Sequence, residues 1–209
     1  MSKRVGDTVC LTSYLSPQGR TDYLNSITVW QACRATFAAT PFFDPISIGA
    51  LNEEFTDGAL GANNPVYMLW TQAQDVWGDQ MPGKLQQLVS IGTGVPALNP
   101  VRYDVLGIWA TLSDLATEAE RTAEQFRSDK FSLDSAERYY RFNVDRGLED
   151  IGLEGSKKRK EIAAATKRYV MSKDVFMRMK TCADTFVGRQ DAGGKSGVEC
   201  RYRSAQCPT

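Results

Sequence analysis

The sequence of 209 residues contains no histidine. A serine–histidine–aspartate triad or a cysteine–histidine dyad therefore cannot be assembled from this chain. Zinc bound through histidine is excluded for the same reason. Any acid–base chemistry has to use a carboxylate, a lysine, a tyrosine or water.

Cysteine is scarce and loosely spaced. The cysteines are Cys10, Cys33, Cys182, Cys200 and Cys207, and no two of them form a C-x-x-C pair. The sequence therefore predicts neither a zinc motif nor a redox motif, and we expect no metal and no cofactor. An odd number of cysteines at such spacing indicates reduced thiols and a cytoplasmic setting, with a Cys200–Cys207 bridge as the main exception.

Long apolar runs and net charge are also absent. No stretch of about 18 apolar residues occurs, which predicts that no helix spans a membrane. The polar first ten residues lack the apolar segment of a secretory signal. The 25 basic and 25 acidic residues cancel, which argues against a dedicated nucleic-acid binder. Apolar residues make up 42% of the chain, as is typical of a globular protein.

Strands and helices alternate along the first 188 residues. Apolar spacing predicts a helix that is capped by Ser26 and ends before Pro41, and Pro65 marks the start of another helix. Further helices are expected over 104–127, 157–170 and 172–187, and strands over 88–92 and 139–144, with an extended stretch through Ile46 and Ile48. This order predicts an α/β domain with a partly parallel sheet, in which the strand over 88–92 is buried. Residues 189–209 are polar and predicted to be a disordered tail.

Three groups of residues have a functional alternative to a structural interpretation. Trp30, Phe42 and Phe43 are predicted to lie in the core, with an acyl-binding pocket as the alternative. Tyr139, Tyr140 and Phe142 are predicted to pack within the sheet, with a platform for a ligand as the alternative. The basic run over 157–160 is interpreted as a solvated helix start, with contact to an anionic membrane as the alternative.

The most informative motif is the turn around Asp57. Residues 56–65 are dense in turn formers, and the glycines near Asp57 are expected to let the backbone turn sharply and present the carboxylate at the edge of an element. An aspartate in this position can act as a general base. A lone Asp-Gly pair, however, more often forms an Asx-turn or caps a helix.

The residues around this motif resemble the C-terminal half of the patatin-like phospholipase family, in its fungal form. The resemblance depends on the blocks W-Q-A-C-R-A-T-F-A-A-T-P-F-F (30–43), D-G-A-L-G-A-N-N-P (57–65) and S-I-G-T-G (90–94), in this order. The segment over 138–144 is similar as well. The resemblance extends over about residues 10–187, so that 1–188 correspond to the C-terminal part of such a domain. Phe37 stands where the family usually carries serine.

The resemblance implies a fold and a chemistry. The fold is a three-layer α/β arrangement, a central sheet flanked by helices, with the N-terminal strands missing. The activity is hydrolysis of lipid acyl esters by a Ser-Asp dyad without histidine. Asp57 takes the position of the general base, and Gly58 and Ala59 complete its motif. Asn63 and Asn64 are expected to brace the loop by hydrogen bonds.

The nucleophile of the family is not in this sequence. The family's G-x-S-x-G motif and glycine-rich oxyanion loop precede the matched region, and neither motif occurs here. Ser47 and Ser90 lack the flanking glycines, and Ser196 lies in the predicted tail. We therefore expect a chain that supplies the aspartate and is inactive alone. Two explanations for the missing nucleophile stay open: a gene-prediction error at the start of the chain, and a serine that another chain supplies.

The expected partners follow from this interpretation. They are a lipid or another acyl ester, with peripheral membrane contact and without nucleic acid. The unpaired edge of an incomplete sheet predicts self-association and poor solubility. The alternative function is a non-catalytic remnant that binds lipid or protein.

Overall fold

The structure, a computed structural model, describes residues 6–15, 21–39, 42–95, 106–149, 151 and 155–188. These residues form a mixed α/β arrangement of helices with two separate pairs of strands. The predicted tail lies outside the described residues, and so do Cys200, Cys207 and Ser196. Cys10, Cys33 and Cys182 are free thiols.

Helices account for most of the described chain. They are α1 (Thr21–Leu24), α2 (Val29–Thr36), α3 (Ala59–Ala62), α4 (Val66–Trp77), α5 (Met81–Lys84), α6 (Leu106–Asp129), α7 (Phe131–Ser135), α8 (Arg159–Val170) and α9 (Lys173–Gly188). Short 3-10 turns, Gly78–Gln80 and Gly155–Lys158, precede α5 and α8. The four long helices predicted from the sequence correspond to α4, α6, α8 and α9, with small shifts at their ends. Within the described residues, no helix is both long and apolar enough to cross a bilayer.

Helix α2 begins after Thr28 and not after Ser26. The Thr28 hydroxyl accepts the backbone N–H of Gln31 at 3.3 Å, and the Gln31 side chain accepts the backbone N–H of Thr28 at 2.9 Å. This reciprocal capping box satisfies N–H groups that a helix start otherwise leaves unpaired. The prediction of Ser26 as the cap was wrong because the T-x-x-Q pattern two residues later makes both bonds.

The first pair of strands is an antiparallel hairpin. Strand β1 (Ile46–Ile48) confirms the predicted extended stretch, and it pairs with β2 (Glu53–Phe55). The connection contains Gly49 at φ 78° and Asn52 at φ 48°. Glycine and asparagine are the residues that most readily adopt these left-handed angles, so the sequence fits the turn.

The second pair of strands is parallel, as the order of elements predicts. Strand β3 (Leu88–Ile91) lies beside β4 (Tyr139–Phe142), with Leu88 opposite Tyr139. The prediction that β3 is buried holds for Leu88 only, since Ile91 is 79% exposed. Within the described residues β3 has a strand neighbour on the β4 side alone. A single central sheet, and self-association through this open edge, remain predictions.

The larger core lies between α4, α6 and the parallel strands. Phe126 on α6 is completely buried, with ring centroids 5.1 Å from Tyr67, 5.8 Å from Trp70 and 5.0 Å from Tyr139. The first two contacts are edge-to-face, an arrangement that aromatic rings favour. The Tyr67 hydroxyl donates to Asp129 at 2.5 Å, and burial together with this bond raises the pKa of Tyr67 to about 12.

A smaller core joins the hairpin to α1 and α2. Its buried residues are Tyr23, Ala35, Ile48 and Phe55, with the Tyr23 and Phe55 rings in edge-to-face contact at 5.6 Å. The Tyr23 hydroxyl donates to the buried carboxylate of Glu53. This core fixes the end of β2, and therefore the start of the turn that holds Asp57.

The aromatic residues before this turn are exposed. Trp30 is 67% exposed, and Phe37, Phe42 and Phe43 are exposed too. The predicted core burial of Trp30, Phe42 and Phe43 was therefore wrong. Helix α2 directs Ala35 into the small core and leaves Trp30 outside it, so the apolar face read from the sequence is not the packed face.

The aromatic residues of β4 behave as predicted. Tyr139 and Tyr140 are buried, and the ring of Tyr140 stacks on that of Phe142 with centroids 6.0 Å apart. Burial raises the pKa of both tyrosines, so that their hydroxyl groups stay protonated. Their contribution in the structure is sheet packing.

Candidate functional site

Asp57 lies in the turn between β2 and α3, where two hydrogen bonds hold it. Its backbone N–H donates to the carbonyl of Ala38 at 2.9 Å, which ties the turn to the segment after α2. Its Oδ1 accepts the N–H of Ala59 at 2.6 Å, so the carboxylate forms an Asx-turn at the start of α3. Within the described residues, Oδ2 has no hydrogen-bond partner. The turn thus fixes a half-buried carboxylate through one of its two oxygens.

Gly58 does not provide the sharp turn that the sequence suggests. Its angles, φ −76° and ψ −5°, lie in the right-handed region that any residue adopts. A Cβ at Gly58 would meet no atom within 4 Å. Gly58 instead borders an open, mainly apolar pocket of about 290 Å³, which we call the Gly58 pocket and which Val9, Leu11 and Phe55 also line.

Asn64 braces the start of α4. Its side chain is buried, and its Nδ2 donates to the carbonyl of Ala119 on α6 at 3.0 Å. Its Oδ1 accepts the N–H of Val66 at 3.3 Å. Asn63 is exposed at the end of α3. Asn64 therefore ties the start of α4 to α6, while the supporting role of Asn63 and Asn64 at a catalytic site stays a prediction.

The predicted site residues lie in two places. Asn63 and Asn64 line a cleft of about 170 Å³ between the start of α4 and β3, which we call the β3 cleft and which Ser90 and Arg141 also line. Asp57 does not border this cleft, and the neighbouring Gly58 borders the other pocket. In the described residues, the structure thus does not gather the D-G-A turn and the two asparagines around one cavity.

A polar network closes one side of the β3 cleft. The Arg141 side chain, 9% exposed, forms an ion pair of 2.6 Å with Glu120 and donates to the Ser90 hydroxyl at 3.0 Å. Asn143 donates to the same Glu120 oxygen at 2.9 Å and accepts the N–H of Gly94 at 2.7 Å. The network ties the S-I-G-T-G segment to β4 and α6. The sequence contains no signal for it, because its members come from three distant segments.

Gly92 is a position where a side chain would displace members of this network. A Cβ there would lie 2.5 Å from Asn143 Cγ, closer still to Asn143 Oδ1, and 2.8 Å from Arg141 Nη2. We expect Gly92→Ala to lower the free energy of unfolding by about 1–3 kcal/mol, since these side chains must move and break their bonds. Urea denaturation measures this loss. Gly83→Ala is the matched control, because a Cβ there meets nothing within 4 Å. Equal stabilities of the two variants would contradict the prediction.

The described residues contain no nucleophile placed for Asp57. None of their serine, threonine or cysteine side chains is hydrogen-bonded to the Asp57 carboxylate. Ser90 accepts from Arg141, and Ser47 lies on β1 of the hairpin. In the same part of the chain, no three histidine, cysteine, aspartate or glutamate residues cluster as a metal site would require. In the described residues, the Asp57 carboxylate thus has a backbone partner at Oδ1 and no hydroxyl or thiol bonded to it.

Comparison with known proteins finds partial similarity to two proteins named as phospholipases A. No protein-family model matches it. Over 117 residues, 55% of this chain, it is 35% identical to phospholipase A I of Arabidopsis thaliana. Over 118 residues, also 55% of the chain, it is 32% identical to calcium-independent phospholipase A2-gamma of Rattus norvegicus. The matched regions span only 8% and 14% of those two proteins. Both matches support a distant relationship to patatin-type phospholipases A.

Proposed function

We propose that this chain carries the general base of a patatin-like lipid acyl hydrolase with a three-layer α/β fold, and that Asp57 is that base. The observation that carries the proposal is the Asp57 carboxylate, held through Oδ1 and the backbone N–H while Oδ2 has no partner among the described residues. The similarity to two phospholipases A supports an acyl ester of a lipid as the substrate.

The chemistry requires a serine beside Asp57 Oδ2. The serine hydroxyl would attack the ester carbonyl while Asp57 takes its proton, and Asp57 would then return the proton to the leaving alcohol. Water would hydrolyse the acyl-enzyme by the same route in a second step. Since the sequence has no G-x-S-x-G motif, we propose that the serine comes from a separate segment or chain.

The Gly58 pocket is suited to the apolar part of such a substrate. Gly58, the residue after Asp57, borders this pocket. Apolar side chains also line it, and they come from the first described segment, from α2 and from β2. A side chain at position 58 would extend into open space. We propose that an acyl chain lies here, which gives the small residue in the D-G-A motif a role other than backbone conformation.

Binding of lipid without catalysis is the second candidate function. It is favoured by the number of large apolar side chains that the described surface exposes, among them Val29, Trp30 and Phe37 on or next to α2. The two candidates differ in their dependence on Asp57. Lipid binding that is unchanged in Asp57→Asn, without hydrolysis in any context, would favour the non-catalytic function.

A segment swap tests the catalytic proposal. A segment of this chain that contains the aligned residues and Asp57 replaces the corresponding segment of the Arabidopsis phospholipase A I. We expect the chimera to hydrolyse phospholipid, because the scaffold supplies a nucleophile and the segment supplies the base. The isolated chain, tested with a chromogenic acyl ester, is expected to show no turnover above that of its Asp57→Ala variant.

Two results would contradict the proposal. A chimera that folds, as judged by circular dichroism and a monodisperse elution profile, but does not hydrolyse phospholipid would show that the segment cannot serve as the base-bearing part. Hydrolysis by the isolated chain that disappears in Asp57→Ala would show that the nucleophile is already present in this chain.

A further inference from the structure

Basic residues are concentrated in the last two described helices. Between positions 157 and 188 the sequence has nine lysine and arginine residues and three acidic residues, a formal charge of +6. The 156 residues before them carry 12 basic and 20 acidic residues. Although the net charge of the whole chain is zero, α8 and α9 together are strongly basic. A surface with charge of one sign attracts partners of the opposite charge.

One face of α9 is fixed to the rest of the protein. The Arg178 guanidinium lies over the Phe142 ring, 5.6 Å from its centroid. The buried Cys182 thiol contacts Gln87 Oε1 at 3.4 Å. Residues four apart lie on the same face of a helix, so this face points toward β4 and the segment that leads into β3.

The neighbouring face of α9 is apolar and exposed. Phe176 is 52% exposed, Met179 38%, Phe186 46% and Val187 62%. These four residues, which we call the apolar stripe, follow one another at helical spacing along one side of α9. Single exposed apolar residues are ordinary, but a row of four on one helix indicates a surface that is covered when the protein functions.

Cations border the apolar stripe. Lys173 lies three residues before Phe176 and Lys180 four residues after it, which places both lysines along its edge. Both are exposed, and Asp184 is the one acidic residue on this side of α9. Helix α8 adds Lys167 and Arg168, both exposed, in its last turn. Large apolar side chains flanked by lysines are the pattern of a helix that lies in the membrane interface.

We propose that the apolar stripe with Lys173 and Lys180 is a docking surface for an anionic lipid bilayer. The helix lies parallel to the membrane, Phe176 and Phe186 enter the acyl boundary, and the lysines meet the headgroup charges. A nucleic acid would satisfy the cations but leave the stripe in water. A second copy of the chain would bring two sets of cations together. The bilayer alone complements both properties, and this function does not depend on Asp57.

Vesicle binding by the full chain tests the proposal. We expect the chain to sediment with vesicles made of equal parts phosphatidylcholine and phosphatidylserine, to do so less as salt is raised, and not to sediment with phosphatidylcholine alone. The Lys173→Gln/Lys180→Gln variant should bind the mixed vesicles about 25-fold more weakly, since each cation near an anionic surface contributes about fivefold. The Phe176→Gln/Phe186→Gln variant should lose at least about tenfold.

Matched variants distinguish binding through this surface from nonspecific adsorption to vesicles. Lys84→Gln and Phe131→Gln change exposed residues of the same types on α5 and α7, and both should bind like the parent chain. Lys173→Arg/Lys180→Arg should retain binding, which keeps the test informative if a glutamine variant fails to fold. Absent binding, or equal binding by parent and glutamine variants, would overturn the proposal. A dimer that the phenylalanine variant disrupts would also overturn it, by assigning the stripe to a second copy.

Discussion

Replacement of Phe126 by alanine should lower the free energy of unfolding by about 3–5 kcal/mol, the range found for truncation of large buried aromatic residues. Phe126 is completely buried and contacts three other rings, those of Tyr67, Trp70 and Tyr139. These contacts join α4, α6 and β4, so truncation of the ring weakens the packing of all three elements. Urea denaturation followed by far-ultraviolet circular dichroism measures the loss.

Phe131→Ala is the control for this prediction. Phe131 is 69% exposed at the start of α7, and its truncation should change the stability by no more than about 0.5 kcal/mol. The two variants remove the same atoms, so their difference isolates the effect of burial. Equal denaturation midpoints would show that the α4–α6–β4 core does not carry the stability of the chain.

Replacement of Asp57 by asparagine in the active chimera should lower kcat by about 10²–10⁴-fold, the usual contribution of a general base. Asparagine has the same shape, and its side-chain oxygen can still accept the N–H of Ala59. Its amide nitrogen, however, cannot take a proton from serine. The turn should therefore keep its geometry while the chemistry is lost, and KM should change little because the variant removes an interaction made in the transition state.

Two controls distinguish loss of the general base from a general effect of the substitution. Asp79→Asn changes an exposed aspartate in the 3-10 turn before α5 and should leave kcat unchanged. An unaltered melting temperature of the Asp57→Asn chimera would exclude a loss through unfolding. Turnover of the Asp57→Asn chimera at the parental rate would remove Asp57 from the mechanism, whatever the resemblance of its motif.

The elements of this chain could be predicted well where the local signal is strong. Pro65 before an apolar run predicts the start of α4, and the apolar run within 88–92 predicts β3. The cap of α2 was misplaced although Thr28 and Gln31 carry the signal for it. These outcomes depend on hydrogen bonds between near neighbours, which a sequence contains in full.

Burial and polar networks could not be predicted in the same way. Trp30 is apolar and in a helix, but its exposure depends on which other elements cover α2. The contact of Arg141 with Glu120 joins β4 to α6 across 21 residues, and nothing in either segment alone specifies it. The candidate base was found through its motif, while the structure added the free Oδ2 and the separation of Asp57 from the β3 cleft.

The uneven distribution of charge has a consequence for how the protein meets any charged surface. The chain carries −8 on its first 156 residues, +6 on residues 157–188 and +2 on residues 189–209, so that charges of opposite sign are separated along a chain of zero net charge. Within a Debye length of an anionic surface, roughly 8–10 Å at moderate salt, we expect the basic segment to be attracted and the acidic part of the chain to be repelled. The chain would therefore rotate so that α8 and α9 lead before any contact forms. The same basic segment should retain the chain on a cation exchanger even near its isoelectric point, where the average charge of the chain predicts no retention.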